Sequence, residues 1–299
     1  MTEGDSPTIA RRRVRLALRE AREAAGLTQN QVAEEMEWST SKVIRIENGD
    51  VTISTNDLRS VLTFLGVRDK NVVAGLLAAT RIARSRSQKP WYQASEFQST
   101  LTDDMRKLIE YEAEATEIRS YSVYYIPGPL QTRGYATALM SRFEEELSEE
   151  QRTNRVDARM RRREALLSRT DGLQILVMVD ESVLRRTIGG AAVFADQLRD
   201  LRTKVKDGTI RIRMVPFSLD ASVTNNASFD ILTMSGGEAL YRETGLGDEM
   251  VEDQAVAAKH HARYSRVWSE AADEEDTIQF IDTQIKELER TVTDGSSRG

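Results

Sequence analysis

Residues able to do covalent or metal chemistry are few in this 299-residue chain. It has no cysteine, which removes thiolate nucleophiles, disulfides and thiolate metal sites together. Its two histidines, His260 and His261, are neighbours on a stretch of helical spacing, and adjacent helical residues point to different sides, so they cannot share one metal ion. A serine nucleophile would need one of them as its base, yet no G-x-S-x-G elbow is present, and phosphate-loop and dinucleotide glycine patterns are absent. The best polar pair is Glu181 with Arg185, just past a β-prone run, where α/β domains tend to bind ligands; a helix-start charge with an i,i+4 partner accounts for the same residues. With Tyr124 and Gln131 upstream, they make up a candidate ligand or partner site. Arg152, Arg155, Arg159, Arg161, Arg162 and Arg163 spread around one helix with Asp157 and Glu164 between them, which reads as a solvated face, with a DNA or acidic-partner surface as the alternative. No catalytic residue, cofactor or metal ligand is expected, and the chain is not expected to be an enzyme.

The elements that could position polar side chains are clearest from Leu27 to Gly49. Thr28 is an N-cap with Gln31 in capping-box position, and Val32, Ala33 and Met36 form an inward stripe. A turn over Glu37 to Ser39 leads to a second helix, opened by Ser39 or Thr40, with Val43 and Ile46 apolar and a stop at Asn48-Gly49. Two such short helices cannot bury their apolar faces alone. Flanking stripes supply the rest: Val14, Leu16, Ala17, Leu18 and Ala21 before Gly26, and Leu58, Val61, Leu62 and Leu65 before Gly66.

In residues 11 to 66 the register of Arg22, Gly26-Leu27-Thr28-Gln29, Val32-Ala33, Met36, Ser41, Val43 and Ile46-Glu47-Asn48-Gly49 resembles the lambda-repressor/Cro-like, or xenobiotic-response-element, helix-turn-helix class. That resemblance implies a second motif helix lying in the major groove. Thr40, Ser41 and Arg45 would then read base edges, with Arg45 preferring guanine, and Gln29, Lys42 and Asn48 would hold phosphates. Arg22 and Glu47 match a structural pair tying the first helix to the end of the reading helix. The class usually carries glycine where this chain has Glu37, so strain or a reshaped turn is expected there.

Length and charge fit two domains. Residues 1–89 hold 15 Lys and Arg against 11 Asp and Glu, whereas 90–299 hold 27 against 37, so a basic head precedes an acidic body within a net charge of −6. The start has basic residues without an apolar h-region, and no run of 18 apolar residues occurs, so a cytoplasmic protein without membrane contact is expected. We expect a disordered arm over 1–10, a helical head over 11–83 with a last helix from Val67 to Ala83, a linker over 84–90, an α/β domain with a mixed sheet over 91–290, and a disordered tail over 291–299. Within the α/β part, helices read at Leu101–Ser120, Ser148–Leu167, Glu181–Thr187, Val193–Val205, Glu249–Ala271 and Glu274–Leu288. Strands read at Tyr121–Ile126, Gln174–Val179, Ile210–Pro216, Phe229–Met234 and Ala239–Arg242.

The body also has a familiar texture. Ile126-Pro127-Gly128-Pro129-Leu130-Gln131-Thr132, Asp180-Glu181-Ser182-Val183-Leu184-Arg185-Arg186, Ile188-Gly189-Gly190, Gln197-Leu198 and Val215-Pro216-Phe217 stand in an order similar to a large group of actinobacterial regulators. In that group a Cro-like head precedes an effector domain of poorly defined function, often encoded beside a small partner protein in an antitoxin-like arrangement. The combined expectation is a sequence-specific transcriptional regulator that binds a near-palindromic double-stranded operator as a homodimer, its C-terminal domain binding a small partner protein or ligand. The alternative is an antitoxin-like module whose main role is holding a small protein partner. Co-purification with a small protein that survives high salt would favour the second.

Overall fold

The computed structural model describes residues 7–85, 91–98, 100–143, 147–219, 227–244 and 247–296. The chain divides into two units, Met1–Lys89 and Pro90–Gly299. In the first, helices α1 (Pro7–Ala24), α2 (Gln29–Glu35), α3 (Thr40–Asn48), α4 (Thr55–Phe64) and α5 (Lys70–Ala83) follow one another. Local chemistry sets their ends. Thr28 and Gln31 form a reciprocal capping box on α2, Ser39 caps α3 through the Lys42 N–H, and Gly49 closes α3 at a φ of 86. The stripes from all five helices merge into one core of Val14, Leu18, Val32, Val43, Ile46, Leu58, Val61, Leu62 and Leu76. Leu58 and Leu62 are shielded almost completely, each burial contributing roughly 1.5–3 kcal/mol, which is how α4 completes a motif too small to be stable alone.

The expected arm is narrowed by the structure. α1 begins at Pro7, whose missing N–H suits a first helical turn, and Ile9 and Ala10 are buried, so residues 7–10 belong to the folded head. Residues 1–6, and residues 86–90 of the expected linker, lie outside the described residues.

The second unit is an α/β domain with a mixed sheet, as its alternation of periods implies. After α6 (Ser95–Gln98) and α7 (Asp103–Glu114) come β1 (Glu117–Ser122), α8 (Arg133–Met140), α9 (Glu149–Leu167), β2 (Gln174–Asp180), α10 (Glu181–Arg185), α11 (Gly190–Lys206) and β3 (Arg211–Val215). β4 (Phe229–Met234), β5 (Gly237–Thr244), β6 (Gly247–Val251), α12 (Gln254–Glu270) and α13 (Glu274–Ser296) follow. The sheet runs β3-β2-β1-β4-β5-β6, with β1, β2 and β3 parallel, β4 antiparallel to β1, and β4, β5 and β6 forming an antiparallel meander. Alternate residues separate its two faces. Tyr121, Leu176, Met178, Val215, Phe229, Ile231 and Leu240 pack under Tyr264 and Val267 of α12. The opposite face carries Ser120, Ser122, Asp230, Tyr241 and Glu243 and looks toward α7 and α9.

Three boundaries differ from expectation. Strand β1 occupies Glu117–Ser122, so α7 stops at Glu114 and only Tyr121 and Ser122 of the YSVYYI run are strand. Beyond Ser122 the chain turns, with the Ser122 hydroxyl donating to the Tyr125 carbonyl at 2.6 Å, and Pro127 could not continue a central strand. Strand β6 lies where a helix start was expected; its Gly-Asp-Glu-Met-Val sequence has little β propensity and is held by pairing with β5. Finally, α13 continues to Ser296, through most of the expected tail.

Candidate nucleic-acid interface and the C-terminal cavity

Helix α3 is held from behind. Glu47, in its last turn, is 3% exposed and accepts from Arg22 Nε at 2.7 Å and Nη2 at 3.0 Å, and from the Gln29 amide at 2.9 Å. Arg22 also donates Nη1 to the Leu27 carbonyl at 2.9 Å. One carboxylate therefore ties α1, the following turn, α2 and α3 together. Its hydrogen bond, outweighing burial, raises the Arg22 pKa further. Gln29, read from sequence as a phosphate contact, is oriented by Glu47 and keeps its second amide N–H free to donate.

The outer side of α3 carries Ser41, Ile44 and Arg45, all exposed, at the i, i+3, i+4 spacing of one face. No hydrogen bond or ion pair holds these side chains among the described residues. Thr40 is half-buried and donates its hydroxyl to Asn30 Oδ1 at 2.7 Å, so it bridges the two motif helices and retains acceptor capacity only. Lys42 Nζ sits 3.7 Å above the Trp38 ring and 3.4 Å from Asp57, and Asn48 is half-buried at the helix end. Ile44 escaped the sequence reading. Its signal was there, because an isoleucine between Val43 and Ile46 falls outside the stripe those two define.

The turn explains the unusual Glu37. It has a φ of 54, and no other non-glycine among the described residues has a positive φ. The backbone keeps the left-handed geometry that glycine gives more easily, with strain of roughly 1–2 kcal/mol.

The four C-terminal residues singled out from sequence do not assemble. Glu181 is buried at the β2 end, accepting Arg185 Nε at 2.6 Å and the Phe217 N–H at 2.8 Å, while the Arg185 guanidinium lies 4.9 Å from the Phe280 ring centre. They brace β2, the segment after β3, and α13. Tyr124 is 54% exposed. Gln131 lines a cavity.

That cavity, of about 230 Å³, lies between α9, the 122–131 segment and the polar sheet face. Ser120, Asp230 and Tyr241 stand directly opposite one another across β1, β4 and β5, and Glu243 faces Asp248 across β5 and β6. Arg155, Arg159 and Arg162 descend from α9 at i, i+4 and i+7, so the arginine helix is not simply a solvated face. Arg162 is buried and bidentate to Glu112 of α7, at 2.6 and 2.5 Å. Burial opposes that charge, but the Glu112 contacts outweigh it and raise the Arg162 pKa. Burial pushes the Asp230 carboxyl up to about 6 against the pull of Ser120 and Arg162. Burial, then Asp248, also raises Glu243 and Tyr241, and burial lowers Arg159. The arginine spacing was legible in sequence; the row of sheet residues needed the strand register.

A capped two-helix motif with a rigidly backed, outward-facing second helix, set in a helical core, defines a helix-turn-helix DNA-binding domain. A family model described as a helix-turn-helix domain matches residues 14–76, and that domain supports a DNA-binding regulator. A second model, domain of unknown function DUF5753, matches residues 105–283, more than half of the chain, and the chain belongs to that family. Neither the curated proteins nor the solved structures returned a match. No described helix is long and apolar enough to cross a membrane.

Proposed function

We propose that the chain is a sequence-specific transcriptional regulator of the lambda-repressor/Cro-like, xenobiotic-response-element class, with α3 in the major groove and the C-terminal domain as its effector half, binding a small protein or ligand and supporting dimerisation. The face of α3 carries this reading: Ser41, Ile44 and Arg45 are exposed and unengaged, while Val43, Ile46 and Glu47 behind them are locked into the fold. Arg45 can grip guanine O6 and N7, Ile44 suits a thymine methyl, and Ser41 tolerates either partner. Lys42 and Gln29 supply phosphate contacts, Lys42 by exchanging Asp57 for the backbone. One head reaches few base pairs, so two copies on half-sites about one helical turn apart give useful specificity.

Immunoprecipitation of the tagged protein with its DNA, followed by affinity measurement on the recovered sites, tests this. Arg45→Ala should lose roughly 1–3 kcal/mol and relax preference at one base pair. Ile44→Ser should lose discrimination at a thymine, whereas Lys42→Ala should weaken all sequences alike and reduce the salt slope by about 1. Wild-type affinity in Arg45→Ala would remove α3 from the interface.

A further inference from the structure

The helix α9 treats its arginines unequally. Arg162 has Glu112, Arg163 has Asp200 with two contacts of 2.8 Å, and Arg133 of α8 reaches Asp157 at 2.8 Å. Among the described residues Arg155 and Arg159 line the cavity without an ion pair; Glu243 draws on the Arg159 charge from the sheet side, and the Arg159 guanidinium donates to the Met140 thioether at 3.3 Å. A cation turned inward with a sulfur for a partner is costly unless something else solvates it. Other polar atoms in the same walls are also unmatched. Gln131 is 3% exposed; its amide nitrogen donates to the Ile126 carbonyl at 2.8 Å, but its oxygen has no partner. Tyr241 is 4% exposed, and its hydroxyl, close to Asp248, makes no well-aligned hydrogen bond. Buried polar groups are nearly always satisfied, so these two unmatched atoms beside the inward-facing cations mark a place built for an occupant.

The lining says which occupant. Arg155 and Arg159 offer positive charge from the α9 side, and Asp230, Glu243 and Asp248 offer carboxyl groups from the sheet side. Leu139, Met140 and Ile126 close the remainder with apolar surface. The volume of about 230 Å³ has room for a small organic molecule. The segment forming the rim is fixed by Gln197, which is fully buried, accepts the Thr132 N–H at 2.7 Å and donates to the Leu130 carbonyl at 2.8 Å. A rim held this way keeps Gln131 aimed at the same point.

We propose that this cavity binds a small organic acid bearing a hydroxyl or amino group, its carboxylate on Arg159 and Arg155 and its second group on the carboxyls and Tyr241 of the sheet. The inference rests on reading the C-terminal domain as the effector half and names the chemistry of the ligand.

The test uses the full chain with L-malate and L-glutamate as probes, against succinate, which lacks the second group, and the diamide of malate, which lacks the charge. Calorimetric titration and thermal shift should detect malate or glutamate at millimolar concentration, with succinate at least tenfold weaker and the diamide silent. Arg159→Met, which keeps the volume and removes an unmatched cation, should fold and bind the probes at least tenfold more weakly. Tyr241→Phe should reduce the difference between malate and succinate. Absence of binding by both acids, binding unchanged in Arg159→Met, or a diamide as good as malate overturns the inference and leaves a water-filled cavity. Operator binding by the same preparations is measured separately. Probe binding without operator binding would fell the regulator reading and leave the cavity assignment standing; operator binding without probe binding would do the reverse.

Discussion

At Glu37 the backbone and the side chain disagree. A left-handed φ of 54 is held by the capped helices on either side, whatever residue stands there. Glu37→Gly should therefore raise stability by about 1 kcal/mol in urea titration, despite the greater freedom glycine gives the unfolded chain. Asp230 makes the opposite point about charge. Its native pKa, about 6, lies above the ordinary value of 3.8 because burial disfavours the carboxylate. The folded state thus holds the proton more tightly, a stabilisation present in full below the ordinary range and lost as pH rises from about 4 through about 6. Asp230→Asn should be more stable than the parent at neutral pH, by roughly 1–3 kcal/mol, and flatter between these pH values. Urea titrations of both proteins across that range check it.

Among elements, the ones legible in sequence were those whose ends are chemically local. Thr28 with Gln31, Ser39, and Asn48 before Gly49 mark α2 and α3 because the capping groups lie within four residues of what they cap. β6 was hidden because Gly247–Val251 becomes a strand only by pairing with β5. The cavity was hidden for a related reason: Ser122, Asp230 and Tyr241 of its wall are far apart in sequence and come together only through strand pairing. Arg155, Arg159 and Arg162 could have been found, since their spacing selects one helix face, but six arginines on one helix obscured which three turn inward. Glu181 and Arg185 were correctly paired by spacing, and the pair braces α13.

For the molecule as a whole, two units with separate cores predict two unfolding transitions. Glu47→Ala leaves Arg22 and Gln29 without their shared acceptor and should destabilise the head by about 3 kcal/mol, moving one transition in calorimetry and leaving the other in place. A single transition that shifts as a whole would mean the units fold together. The exposed face of α3 has a different consequence, evolutionary in kind. Ser41, Ile44 and Arg45 contribute nothing that the head needs in order to fold, so exchanging them leaves the scaffold intact. On the proposed reading of α3, a duplicated copy of this chain acquires a new operator through three codons, its caps, core and Glu47 anchor untouched, and diverges in its targets before anything else about it has changed.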